Sequence, residues 1–126
     1  MPRFAHIADI HLGGWKQQEL RDINLESFRM AINRCIKEKV EFVLIAGDIF
    51  DTPYPSIDIL KETFAIFKNL KKAKIPCFII AGSHDYSVSG KTFLDVLEKA
   101  GFCQICKYNE TEEEIILEPS THKSCY

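Results

Sequence analysis

Three short apolar runs in this chain each end abruptly in a cluster of metal-ligating residue types. Arg3-Phe4-Ala5-His6-Ile7-Ala8 runs into Asp9-Ile10-His11. Glu41-Phe42-Val43-Leu44-Ile45-Ala46 runs into Gly47-Asp48-Ile49-Phe50-Asp51. Pro76-Cys77-Phe78-Ile79-Ile80-Ala81 runs into Gly82-Ser83-His84-Asp85. Runs of this length, rich in β-branched and aromatic residues, read as strands. Between them the apolar period changes. Leu25, Phe28, Ile32, Cys35 and Ile36 recur at helical spacing and predict a helix from about Asn24 to Lys39. Ser56 as N-cap, with Asp58 near the positive helix end, predicts a second helix from Ile57 to about Lys72. A shorter one follows Gly90, passes through Phe93, Leu94 and Leu97, and stops at Gly101. Phe102 to Cys106 reads as a fourth strand and Ile115-Ile116-Leu117 as a fifth. Strands alternating with helices imply an α/β fold, a mostly parallel sheet with helical crossovers. The second strand, near-continuously apolar, is expected to be covered on both faces.

Composition narrows the classes. The chain has 126 residues, the size of one ordinary domain, and no linker divides it. Hydrophobic residues at 46% and charged residues at 27% exclude a disordered, collagen-like or coiled-coil chain. No apolar run approaches the roughly 20 residues of a membrane span. Met1-Pro2-Arg3-Phe4 lacks the apolar stretch of a signal peptide. Five cysteines, an odd number in no secreted framework, read as reduced thiols of a cytoplasmic protein. The net charge of −2 argues against a globally basic nucleic-acid sleeve. It leaves room for nucleic acid, because carboxylates that hold metal also lower the charge.

In an open parallel sheet the carboxyl ends of the strands share one edge, where ligands bind. The three clusters therefore converge, bringing together Asp9, His11, Asp48, Asp51, Ser83, His84 and Asp85. Mixed carboxylate and imidazole ligands suit Mn, Fe or Zn better than Ca or a thiolate site. Asp9 and His11, two apart in an extended segment, would point the same way and share one ion. Gly47 and Gly82 would let the backbone turn straight off a strand. Asp48 could bridge two ions, and two ions about 4 Å apart would clamp a phosphate and acidify a bridging water. One aspartate after one strand is ordinarily a turn or cap residue. Three such clusters after three strands are what point to a metal site.

At these residues the chain resembles a known family. Asp9-x-His11, Gly47-Asp48-x-x-Asp51 and Gly82-Ser83-His84-Asp85 resemble the first three motifs of the calcineurin-like metallophosphoesterases. His6 through Gly13, and Gly47-Asp48-Ile49-Phe50-Asp51-Thr52, look like the SbcD/Mre-type nuclease subunit of double-strand-break repair. The resemblance covers about Arg3 to Phe102. It implies the N-terminal part of a metallophosphoesterase sandwich, with later His motifs beyond this chain. It further implies Asp9 and His11 on one metal, Asp48 bridging two, Ser83 in the place of an asparagine ligand, His84 catalytic and Asp85 orienting it. Asp51 would stand behind a ligand or near the scissile phosphate. Two Mn ions are implied, with Mg, Fe or Zn as other occupants. Implied partners are double-stranded DNA ends, a second copy in a homodimer, and an SbcC/Rad-type coiled-coil ATPase. The serine at 83 and the absent later motifs imply weak or no activity for this chain alone.

Other features have plainer explanations. His6, inside a strand, is expected to pack in the core. Cys35 and Cys77 look like core thiols. Cys103-Gln104-Ile105-Cys106, followed by His122 and Cys125, has a zinc-like spacing. In a strand, however, positions three apart face opposite sides. Lys68, Lys71, Lys72 and Lys74 suit a helix C-terminus, and the first three could also touch a DNA backbone. The second helix is apolar around much of its circumference. Leu60 and Phe64 are therefore candidates either for burial in a larger domain or for a dimer face. The leading expectation is a DNA-end phosphodiesterase. Its alternatives are a phosphoesterase for a small phosphoester and a catalytically dead scaffold that dimerises and holds an ATPase.

Overall fold

The apolar runs do form strands, and their register sets the architecture. In a computed structural model of the chain, β1 (Phe4–Ala8), β2 (Phe42–Ala46), β3 (Cys77–Ile80) and β4 (Gln104–Ile105) form one parallel sheet in sequential order. Helices α1 (Gln18–Lys37), α2 (Ile57–Lys72) and α3 (Phe93–Lys99) cross between them. Two further strands, β5 (Tyr108–Glu110) and β6 (Ile115–Leu117), pair antiparallel as a separate ribbon. The structure describes residues 2–52, 54–82 and 93–106 and the backbone of β5 and β6.

A sequential strand order has a geometric consequence. Right-handed crossovers that always step in the same direction place every helix on the same face. That face carries Ala5, Ile7, Val43, Ile45, Cys77, Ile79 and Ile105, and these pack with Phe28, Ile32, Ile66, Phe67, Leu70, Leu94 and Leu97 of the helices. Phe67 is fully buried, which is worth about 1.5–3 kcal/mol for a side chain of this kind. Its ring meets Phe28 of α1 at 6.0 Å. Cys35 and Cys77 are core thiols, as expected.

The opposite face overturns two expectations. Among the described residues β2 is not covered on both sides, for Leu44 is only half-buried and Ala46 is exposed. His6 lies exposed on this same face rather than in the core. Phe4 is 56% exposed and Ile80 40%, so the face is apolar yet open. Phe42 is buried there because Phe4 stacks on it at 5.2 Å and Phe78 meets it edge-on at 6.1 Å. The apolarity of β2 gives it two apolar faces, but the helices supply cover for only one.

Helix boundaries agree at α2, where Ser56 accepts from the Ile59 N–H and Asp58 sits in the first turn. They differ at α1, which begins six residues before Asn24. The added turns, Gln18 to Ile23, carry no apolar stripe because they lie mostly in solvent, with Leu20 40% and Ile23 61% exposed. Their good helix formers suffice. Each helix ends in one residue of left-handed conformation followed by an apolar anchor. Gly101 was legible in this role, with φ 78°, whereas Lys39 and Lys74 adopt φ 52° and 59° at the same place. The Val40 N–H then reaches Cys35 O, that of Ile75 reaches Leu70 O, and that of Phe102 reaches Leu97 O.

This pattern predicts opposite signs for two substitutions. Gly101→Ala should lower stability by about 1 kcal/mol, since a side chain at this φ is strained. Lys74→Gly should raise it by up to about 1 kcal/mol. Urea unfolding of the two variants would check both, and a stabilised Gly101→Ala would refute the account.

Candidate metal centre

The first two strands deliver their clusters to one edge, and the third ends level with them. Ala8 pairs with Ala46, and Ala46 with Ile80. The loops after β1 and β2 then stay joined. His11 N–H donates to Asp48 O at 2.8 Å and Leu12 N–H to Ile49 O at 2.8 Å, while Asp51 N–H returns to Leu12 O at 3.1 Å. Leu12 and Phe50 form an isolated parallel bridge. Ile10, Leu12, Ile49 and Phe50 are all buried, so polar residues alternate with apolar anchors that fix the loops to the core.

Asp9, His11 and Asp48 meet at this edge. Each offers one ligand atom, and the three atoms lie within 4.8 Å of one another. His11 Nε2 is 3.9 Å from Asp9 Oδ1 and 3.8 Å from Asp48 Oδ2. Two metal–ligand bonds of about 2.1 Å span at most about 4.2 Å, so one ion fits among them. The route to this geometry differs from the extended segment expected. Asp9, His11 and Asp48 all have left-handed backbones, with φ of 52°, 49° and 52°. Non-glycine residues held there store strain, and such positions concentrate at functional sites.

Asp51 acts through His11. Its Oδ1 lies 3.1 Å from His11 Nδ1. A carboxylate can only accept, so the proton belongs on Nδ1 and the lone pair of Nε2 faces Asp9 and Asp48. Within the structure Asp51 contacts the His11 ring. Burial grades across the cluster, with side chains 78% exposed at Asp9, 31% at His11 and 16% at Asp48. The site is thus open to solvent on one side and anchored on the other.

Both glycines matter, for different reasons. Gly47 turns off β2 with φ 79°. Gly82 does so without a positive φ; its role is space. A Cβ there would stand 2.2 Å from Asp48 Oδ1 and 2.5 Å from Asp48 N. The third strand therefore brings a bare backbone against the second cluster. Ser83, His84 and Asp85 follow Gly82 in sequence and lie outside the described residues, as do Gly90, His122 and Cys125.

Other candidates fall elsewhere. The Lys71 ammonium donates to Ala100 O at 3.2 Å and sits 5.6 Å from the centre of the Phe102 ring. With Lys68 and Lys72 it occupies the end of α2 that leads into β3, at the edge where strands begin, opposite the Asp9–His11–Asp48 group. Leu60 and Phe64 are half-buried against the core, Phe64 meeting Phe102 at 5.8 Å, so the chain itself covers part of the apolar excess of α2. Asp9, His11 and Asp48 form the one group among the described residues that could hold a metal ion, and Cys103 and Cys106 gather no further candidate ligand there. Burial and the nearby Glu98 carboxylate push the Cys103 thiol up to about 12.

With this geometry in view, comparison with known proteins is direct. The calcineurin-like phosphoesterase family model matches residues 2–117. The chain belongs to this family. Its relatives include the DNA double-strand break repair protein Mre11 of Aeropyrum pernix, 36% identical over 101 residues, covering 78% of this chain and 25% of the relative. The protein of that name from Methanosarcina mazei is 35% identical, over 79% of this chain and 16% of the relative. That of Archaeoglobus fulgidus is 29% identical over 82% and 24%. The chain thus spans about a quarter or less of the length of these relatives. As a phosphoesterase-family chain it implies divalent metal, and the Asp9–His11–Asp48 group fits one. Among the described residues no helix is long and apolar enough to cross a membrane.

Two substitutions test the geometry. Asp51→Ala should weaken divalent-metal binding about 10–100-fold, because His11 loses its orienting partner. Gly82→Ala should displace the Asp48 carboxylate and weaken binding at least as much. Calorimetric titration with Mn would read both, and unchanged affinity in either would contradict the placement of Asp48 and His11.

Proposed function

We propose that this chain carries part of the centre of a metal-dependent phosphodiesterase acting on the ends of double-stranded DNA. The observation that carries the proposal is the strained, level juxtaposition of Asp9, His11 and Asp48, backed by Asp51. Family membership supports the reaction class, and the names of the relatives support DNA as substrate. Manganese is the proposed metal, since one imidazole among carboxylates suits Mn, Fe or Zn.

The roles of the residues follow from their positions. Asp48, the most buried ligand, anchors the ion; His11 adds a neutral nitrogen held in one tautomer by Asp51; Asp9 closes the set from the solvent side. Bound metal supplies Lewis acidity toward a phosphoryl oxygen and activation of water. We assign His84 to the departing oxygen, Asp85 to orienting it, and Ser83 to a weaker ligand position than an amide would give. The open, solvent-facing side at Asp9 leaves access for a bulky polymer. We further propose that the open face of the sheet, with Phe4, Leu44, Phe78 and Ile80, is covered by the remainder of the phosphoesterase domain. A second copy and an SbcC/Rad-type ATPase complete the proposed assembly.

The test compares metal binding with hydrolysis of a diester and a monoester of p-nitrophenol. We expect Mn to bind this chain and Asp48→Ala to abolish binding. Any turnover, weak in this chain, should favour the diester and a linear duplex and disappear in His84→Ala. Preference for the monoester would replace DNA with a small phosphoester. Absence of metal binding would remove the enzymatic proposal.

A further inference from the structure

We infer that Asn24 is a positioning residue for the metal centre, acting on His11 through the backbone. The inference rests on the metal-site proposal above. Asn24 lies on α1, and its Nδ2 donates to the carbonyl of Ile10 at 2.9 Å. That carbonyl belongs to the peptide joining Ile10 to His11. The N–H of the same peptide donates to Asp48 O at 2.8 Å. One peptide plane is therefore pinned at both ends, by a helix side chain on one side and by the second loop on the other.

The orientation of this plane sets φ of His11, which is held at 49°, in the left-handed region. Released at its carbonyl, the plane can rotate and let His11 relax toward negative φ. The imidazole would then leave the position where Nε2 faces both Asp9 and Asp48. Asp51 holds the ring by its side chain, whereas Asn24 holds the backbone that carries the ring.

The remainder of the amide gains nothing from its place. Its Oδ1 is buried without a hydrogen-bond partner among the described residues, and so is Nε of Arg21, three residues earlier on the same helix. Asparagine is also a poor residue for a helix interior. An apolar residue there would serve the helix better, which points to the donated hydrogen bond as the reason for an amide. Sequence periodicity could not find Asn24, because it occupies a helix position with no motif around it.

Asn24→Leu separates positioning from folding. Leucine keeps the bulk and favours the helix, so the metal-free variant should unfold within a few degrees of wild type. Its affinity for Mn, measured by calorimetry and by the electron paramagnetic resonance of free Mn, should fall about tenfold or more, the scale seen when a ligand loses its outer support. Asn24→Ala should show the same loss, so the result does not depend on one variant folding. An affinity within twofold of wild type in a folded variant overturns the inference and leaves the metal site standing. A wild-type chain that binds no Mn overturns both.

Discussion

The level, in-register pairing of β1, β2 and β3 is the constraint on which the remaining structure depends. Parallel strands fix register by hydrogen bonds along their whole length, and a slip of one residue would turn each side chain to the other face. Because Ala8, Ala46 and Ile80 stand abreast, the chain leaves three strands at one height. The first two loops and the backbone of Gly82 then share one narrow space. Glycine at 82 relieves the closest approach, and the exchange of backbone hydrogen bonds between the first two loops fixes the rest. Asp9, His11 and Asp48 meet as a result of sheet geometry. The two carboxylates among them are like charges, so the buried anchors Ile10, Leu12, Ile49 and Phe50 are needed to hold the group together.

Much of the fold was legible because its signals are local. Alternation of apolar runs and helical stripes named the strands and α2 almost to the residue, and Ser56 and Gly101 gave end points with a mechanism. The start of α1 was not legible, since its first turns are exposed and carry no stripe. Lys39 and Lys74 were not legible as helix stops because nothing in lysine announces a left-handed backbone. The strand Tyr108–Glu110 was likewise missed; its run is short and polar, and it exists by pairing with β6.

The candidate site divides in the same way. Asp9, His11 and Asp48 were identifiable from residue type and from their place after strands. Their geometry was not, since the extended segment inferred for Asp9-Ile10-His11 is a left-handed turn pinned from both sides. Asp51 was expected near a ligand or the phosphate, and its hydrogen bond to His11 decides which contact it makes in this structure. His6 was assigned to the core on burial habits of its residue type. It lies instead on the sheet face that the one-sided crossovers leave open.

The left-handed backbones of the ligands have a consequence for what the site can become. Aspartate, asparagine and histidine are the non-glycine residues for which this strained region costs least. Glutamate and cysteine offer comparable donors but lack that tolerance. The first two loops can therefore exchange aspartate for asparagine or histidine at modest conformational cost, while a thiolate or longer carboxylate would add somewhat to that cost. Backbone sterics at these three positions thus favour short carboxylate, amide or imidazole side chains before any ligand chemistry is consulted.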